Sequence, residues 1–306
     1  MAGVELPAPF VRNVHGVYGA EKARAWLDRL PGLVADQAAA WSLSVGEPYP
    51  LTFSFVAPST RADGTPAVLK LVPAPNAEQR TEAAVLGLAG GEGAVRLLEA
   101  DHDRGALLLE RAEPGELLTR LHERDDYAAT LVAAEVGRRL HRPVPAGGTT
   151  AFPTVEGWAA AAFGWLRAHH GDGAGPLPAD LIDRGEREHA ELVASSAPPV
   201  LLHGDLHHDN VLSSGRGWLA TDPKGVLGEP AYEAGALLRN PPGFGARPDA
   251  AALLARRVPL LAEAYGVGED RVRAWGRAHN VVSVIWSLEG GEVDTGTLAV
   301  VAALAG

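Results

Sequence analysis

The segments LLHGDLHHDNVL (201–212) and TDPKG (221–225) place Asp205, Asn210 and Asp222 in a D-x-x-x-x-N array followed by a second carboxylate. These residue types at this spacing suit one chemistry. Asp205 can accept the proton of an attacking hydroxyl, and Asn210 and Asp222 offer oxygen ligands of the kind magnesium takes. Phosphoryl transfer asks little more of a protein than in-line positioning, metal neutralisation of phosphate oxygens and a carboxylate near the nucleophile. The apolar LL and VL flanks put the polar residues on a loop between strands, where catalytic groups are commonly displayed. The kinase arrangement H-R-D-x-x-x-x-N followed by an Asp-Phe-Gly segment has the same spacing, with Gly204 here at the arginine position and Asp222-Pro223-Lys224-Gly225 as the second motif.

The same stretch admits a rival chemistry. His203, Asp205, His207, His208 and Asp209 are dense enough for the His/Asp metal centre of a hydrolase. Neighbouring His207 and His208 cannot both face one metal from a regular strand, although a loop would allow it, and this reading leaves Asn210, Asp222 and a strand lysine upstream idle.

A phosphotransferase also needs cationic and nucleotide-binding parts upstream. Lys70 lies in the apolar run AVLKLV (67–72), where an unpaired ammonium is costly. Glu82 on the following helix is its natural partner, with Glu78 as a weaker one. Snorkelling from an edge strand is the competing explanation. In LLLERAEPG an apolar strand enters a polar connection, and backbone groups at Glu110 and Ala112 can pair with an adenine edge. An ordinary interdomain linker would read the same way.

The elements that must position these residues fall into two regions. In the first, Ala23, Trp26, Leu27 and Leu30 mark a helix over 20–30, which Pro31 is expected to stop. TFSFV (52–56) alternates as a strand, ADGT (62–65) is a hairpin turn and AVLKLV the return strand. A helix over 77–89 ends at Gly90-Gly91. AVRLLEA and ALLLERA follow as strands around the turn DHDRG. After Glu110, helices are expected over 116–123, 127–141, 155–168, 179–194, 231–238, 250–265 and 270–288. They are interrupted by short strands at 200–202, 211–212 and 218–220 and by the Pro/Gly-rich connection RPVPAGGTTAFP. The expected class is α+β. An antiparallel sheet lobe with a helix occupies 1–111 and a mainly helical lobe 112–306.

The 306 residues suggest about two domains. The net charge of −11, from 27 basic and 38 acidic side chains, argues against nucleic acid or an anionic membrane as partner. It is compatible with a cationic small molecule, as with many acidic proteins of no such use. No cysteine is present, which excludes disulfides and thiolate chemistry. The N-terminal residues lack a signal-peptide pattern, and no apolar run is long enough to span a membrane. A cytoplasmic location follows as the expectation; oligomeric state is not specified.

With HGDLHHDN, the downstream Asp, the strand lysine and the hinge in view, the chain resembles the aminoglycoside phosphotransferase branch of the protein-kinase-like fold. WLATDPKGVLGEPAYEAGALLRNP, with GAVRLLEAD and GALLLERAEPG upstream, is similar to the streptomycin 6-kinase and hydroxyurea phosphotransferase family, over roughly Val45 to Gly290. The resemblance implies a two-lobed kinase-like fold, ATP and Mg2+, and a small-molecule hydroxyl as acceptor. Asp205 would be the base, with Asn210 and Asp222 as metal ligands. Lys70, held by Glu82, would contact the α- and β-phosphates, and Glu110 to Ala112 the adenine. Two departures matter. GEPYPLTFSFV has no glycine after Gly46, so Thr52 and Ser54 hydroxyls or nearby amides are expected to cover the phosphates. Lys224 is an extra cation beside Asp222, either for the transferring phosphoryl group or for a local pair with Asp222 or Glu229. Acceptor contacts are expected from Asp209, Glu229, Tyr232 and Glu233, with Asn240, Trp286 and Glu289 as further candidates. Core packing is the preferred reading of Trp286, and helix capping competes for Glu229. Related kinases phosphorylate amino sugars, maltose or choline. A non-catalytic pseudokinase would have lost the base, ligands or lysine, all of which are present here.

Overall fold

The computed structural model describes residues 6–144, 152–171 and 173–305. The chain forms two compact units, Met1–Gly91 with Val95–Glu113, and Glu92–Ala94 with Pro114–Gly306.

In the first unit, α1 (Ala8–Tyr18) and α2 (Ala20–Ala40) precede β1 (Leu43–Val45), β2 (Phe55–Arg61), β3 (Pro66–Leu71), α3 (Ala77–Ala89), β4 (Leu97–Asp101) and β5 (Ala106–Glu110). The strands pair antiparallel in the order β1-β2-β3-β5-β4. Strand side chains alternate between faces. Phe55, Ala57, Leu69 and Leu71 turn one face to Phe10, Val14, Trp26, Leu30 and Val34 of α1 and α2. Lys70, between Leu69 and Leu71, therefore turns to the other face. Asn76 caps α3 by accepting the Gln79 N–H at 2.9 Å, and Gly90 ends it in the left-handed conformation (φ 58°).

Two expectations need correction here. Pro31 does not stop the helix; α2 runs through it to Ala40. Pro31 sits on the exposed face, where water can satisfy the carbonyl its ring leaves unbonded, while burial of Leu30 and Val34 on either side holds the helix. The strand expected over Thr52–Val56 begins only at Phe55, with Phe55 opposite Leu71. Thr52–Ser54 belong to the β1–β2 connection, and Phe53 is left exposed. Helix α1 and strand β1 were not expected.

The second unit contains β6 (Pro114–Leu117), α4 (Leu118–Arg124), α5 (Asp126–Leu140), the short β7 (Arg142–Pro143), α6 (Val155–His170) and α7 (Ala179–Ala194). It continues with β8 (Val200–Leu202), β9 (Val211–Ser214), β10 (Gly217–Ala220), β11 (Val226–Gly228), α8 (Ala234–Arg239), α9 (Ala250–Tyr265), α10 (Glu269–Glu289) and α11 (Thr295–Ala303). Residues 145–151 of the Pro/Gly-rich connection lie outside the described residues. Helix α10 is the spine, packed against α6, α7, α8, α9 and α11. Its Val281, Val284 and Ile285 meet Phe163, Leu166, Ile182 and Val301, and its Trp275 meets Leu202, Val226 and Tyr232. Two small antiparallel sheets, β10-β9-β6 and β11-β8-β7, carry the loops of interest. Among the described residues no helix is long and apolar enough to cross a membrane.

Candidate active site

The loop 203–210 leaves β8 and enters β9, and the segment 221–225 leaves β10 and enters β11. Both ladders continue past their strand ends. His203 O accepts the N–H groups of Lys224 (2.8 Å) and Gly225 (3.0 Å), extending β8–β11, and Asn210 O accepts the Thr221 N–H (2.9 Å), extending β9–β10. These bonds clamp the two segments together, and so bring Asp205, Asn210, Asp222 and Lys224 into one site.

His203 organises the loop. Its buried ring donates from Nε2 to Thr221 O (2.9 Å) and accepts the Asp205 N–H at Nδ1 (3.2 Å). Those two bonds require a neutral ring, and burial lowers its pKa to about 4. Gly204 has φ 87°, and a Cβ there would lie 2.9 Å from the Trp158 ring and 3.0 Å from Val226. This explains why no side chain stands at the position a kinase gives to arginine.

The Asp205 carboxylate is about a quarter exposed (27%). Arg239 Nη2 lies 3.4 Å from Oδ1 and His207 Nε2 3.7 Å from Oδ2. Burial pushes its pKa up, but His207, Arg239, Lys224 and His203 more than offset this and hold it below the ordinary value. It is thus an ionised proton acceptor at neutral pH. Asn210 Nδ2 donates to Asp205 O (3.0 Å), which leaves Oδ1 without a donor among the described residues. Asp222 adopts φ 58°, uncommon for a residue other than glycine, and its Oδ2 accepts from Lys224 Nζ (3.2 Å). An amide oxygen and a carboxylate, both reached by solvent, fit a hard divalent cation such as magnesium.

In the first unit Lys70 Nζ donates to Glu82 Oε2 at 2.7 Å, and both groups are buried. The pair fixes an ammonium inside the sheet lobe. Thr52 is exposed and Ser54 half-buried in the β1–β2 connection. At the end of β5 the Glu110 N–H donates to Arg96 O (2.8 Å), and the Glu110 carboxylate accepts the Arg96 N–H (2.9 Å). That amide is committed to the sheet. The Ala112 amide and carbonyl have no partner among the described residues.

The acceptor candidates fare differently. Asp209 is half-buried, and its Oδ1 accepts a short hydrogen bond from Thr119 Oγ1 of α4. Glu229 makes no side-chain cap bond to the turn Pro230–Glu233. It is buried, and its carboxylate accepts from Arg271 (2.5 Å), Ser196 (2.9 Å) and Trp275 Nε1 (3.0 Å). Lys224 accordingly pairs with Asp222 and not with Glu229. Tyr232 is a core residue, its ring against Trp275 and His279, and burial raises its pKa. Asn240 is buried, with Nδ2 donating to Ala236 O at 2.9 Å. Trp286, expected in the core, is only half-buried, and Glu289 is exposed.

Glu233 lies beneath the loop 203–210. Its Oε1 accepts the Gly204 N–H at 2.7 Å, while Oε2 is buried with no partner among the described residues. Burial, and to a lesser degree the Asp205 charge, pushes its pKa up to about 7 against the loop amide bonds that lower it. Because the folded pKa is the higher, native protein binds the extra proton between the unfolded value of about 4.3 and 7. Stability from this group is therefore complete below that lower value and lost as pH rises through about 7. Glu233→Gln keeps the acceptor oxygen and removes the ionisation. In urea titrations it should match wild type near pH 5 and exceed it by roughly 1–3 kcal/mol at pH 8. An advantage that is the same at both pH values would refute this role.

The hydrolase arrangement is not formed. His203 is turned to Thr221, and His208 is buried against His122 with ring centroids 5.0 Å apart, so neither joins His207 beside the Asp205 carboxylate. Sequence reasoning missed Arg239 as a companion of Asp205 and Trp158 beside Gly204, and it named His207 beside Asp205 only as a metal ligand. The only available signal for Arg239 was its place in LLRNP, directly after the helical run 231–238.

The profile of aminoglycoside/hydroxyurea antibiotic resistance kinases matches residues 41–291. A hydroxyurea phosphotransferase of Kitasatospora aureofaciens is 38% identical over 95% of this chain and 83% of its own length. A streptomycin 6-kinase of Streptomyces griseus is 35% identical over 94% of this chain and 93% of its own. Among solved structures, an aminoglycoside phosphotransferase of Streptomyces rimosus in complex with ADP and streptomycin superposes with a TM-score of 0.59. It shares 20% identity over 84% of this chain and 98% of its own. An ethanolamine kinase of Plasmodium vivax reaches a TM-score of 0.65 at 12% identity, over 95% and 90% of the two chains. With a kinase-like fold and a family profile covering most of its length, the chain belongs to the aminoglycoside/hydroxyurea antibiotic resistance kinases.

Proposed function

We propose that the protein transfers the γ-phosphate of ATP to a hydroxyl of an aminoglycoside such as streptomycin, with Asp205 as the base. The observation that carries this is the ionised Asp205 carboxylate clamped beside Asn210 and Asp222. The acceptor oxygen forms a bond to the γ-phosphorus, the bond from that phosphorus to the β–γ bridging oxygen breaks, and ADP leaves. The hydroxyl proton passes to Asp205. Magnesium held by Asn210 and Asp222 would neutralise charge on the phosphate oxygens. Lys224, paired with Asp222, would offer a further cation to the transferring group. In the first unit, Lys70 held by Glu82 is assigned to the α- and β-phosphates, Thr52 and Ser54 to phosphate cover, and the backbone of Glu110 to Ala112 to the adenine edge.

The 38% identity to a hydroxyurea phosphotransferase favours a second acceptor reading, the N-hydroxyl of hydroxyurea, with the same roles for the residues. Purified protein should be given ATP and magnesium with streptomycin, other aminoglycosides, hydroxyurea, amino sugars and simple alcohols, and ADP release followed. Acceptor-dependent ADP formation and a phosphate monoester of streptomycin are the expected result. ATP consumption no faster with any acceptor than without one would overturn the proposal.

A further inference from the structure

Trp158 of α6 and Trp286 of α10 meet edge-to-face, with ring centroids 5.7 Å apart and planes at 82°. Both are half-buried, and neither indole N–H has an acceptor among the described residues. The place is specific. A Cβ on Gly204, the residue before Asp205, would lie 2.9 Å from the six-membered ring of Trp158. On α10 the burial pattern changes at this point: Val281 to Ile285 are buried, Trp286 to Leu288 half-buried and Glu289 exposed. Residues three apart are neighbours on a helix surface, so Glu289, exposed at the end of α10, shares a helix face with Trp286.

Two perpendicular indoles with a carboxylate alongside make a corner suited to a cation. Indole faces attract guanidinium and ammonium groups, and the planar guanidinium also stacks on them. The excess of acidic side chains (38 against 27 basic) favours the approach of such a ligand. We infer that the Trp158–Trp286 corner, with Glu289, is the acceptor-selecting surface, and that it takes a guanidinium or ammonium group of the acceptor while a hydroxyl of the same molecule is presented to Asp205. Neutral hydroxyurea gains nothing from this corner. The inference rests on the proposed kinase activity for the reacting hydroxyl, but not for the binding of the cation.

The test uses calorimetric binding of streptomycin, which carries guanidinium groups, alongside KM values for streptomycin, hydroxyurea and ATP. Trp158→Leu and Trp286→Leu should each weaken streptomycin binding and raise its KM about tenfold. Trp→Phe at either position, which keeps an aromatic face, should stay within about threefold of wild type. The surface variant Glu289→Gln, which carries no folding risk from a buried site, should weaken streptomycin about threefold and leave hydroxyurea and ATP unmoved. The inference is overturned if wild type binds no guanidinium or ammonium compound. It is also overturned if Glu289→Gln and the Leu variants bind streptomycin like wild type, or if streptomycin, hydroxyurea and ATP weaken in equal measure. Wild type that binds streptomycin without consuming ATP would sink the kinase proposal and leave this one standing.

Discussion

Asp205→Asn is expected to cut phosphate transfer by roughly 10²–10⁴-fold, the range typical of losing a positioned acid–base group, while ATP affinity changes little. The substitution is nearly isosteric. The bonds that shape the loop are made by the Asp205 backbone, whose N–H goes to His203 Nδ1 and whose carbonyl accepts from Asn210 Nδ2, so they survive the change. What is lost is the proton-accepting oxygen that Arg239, His207 and Lys224 keep ionised. The effect should therefore fall on kcat for the acceptor and not on the KM for ATP. Single-turnover transfer and equilibrium ATP binding, measured on the same preparation, separate the two. Turnover close to wild type would remove Asp205 from the role of base. A parallel collapse of ATP binding would assign it to folding of the loop.

Much of this site was legible because its determinants are local. The span 77–89 carried its own cap and stop in Asn76 and Gly90, and the helix occupies those residues. Lys70 announced itself as a cation in an apolar strand, and a helix carboxylate was demanded by the cost of burying it alone; Glu82 meets that demand at 2.7 Å. Long-range pairing was not legible. Glu229 reads as a polar residue before a proline, and nothing nearby says that Arg271 and Trp275, far along the chain, will consume its carboxylate. Glu233 sits in an apparent helical run and Arg239 directly after it, yet their contacts are with Gly204 and Asp205, brought to them by the tertiary fold. Pro31 shows the opposite failure. A strong local stop signal lost to the burial of Leu30 and Val34 on either side of the proline.

Arg257→Met is expected to be the most destabilising single change in the second unit, by roughly 3–5 kcal/mol, the range for removing one partner of a buried ion pair. The Arg257 guanidinium is almost wholly buried and makes five contacts. Nε and Nη2 reach Asp126 Oδ1 (3.0 and 2.6 Å), Nη1 donates to Leu237 O (2.7 Å) and Asn240 O (2.8 Å), and Nη2 lies 3.2 Å from His122 Nδ1. One side chain thus ties α9 to α4, α5 and the end of α8. Burial pushes the Asp126 pKa up, but the hydrogen bonds from His122 and Arg257 carry it far below the carboxylate range. The folded pKa is the lower here, so this contribution is complete above an unfolded value of about 3.9 and lost as pH falls below it. His122, Asp126 and His208 bring ligand-type atoms within 4.8 Å of one another, yet the guanidinium already neutralises the one carboxylate of the set. The cation at this point is therefore the arginine. Methionine fills the volume but leaves Asp126 ionised and unpaired. A second substitution, Asp126→Leu, should then recover part of the loss, because it removes the stranded charge. Since the His122 ring packs on His208 of the catalytic loop, the single variant should also lower kcat. Thermal melts of the two single variants and the double variant at pH 7 measure the coupling. Additive losses would show that Arg257 contributes by packing on the Phe244 ring, 4.2 Å away, and not through the ion pair.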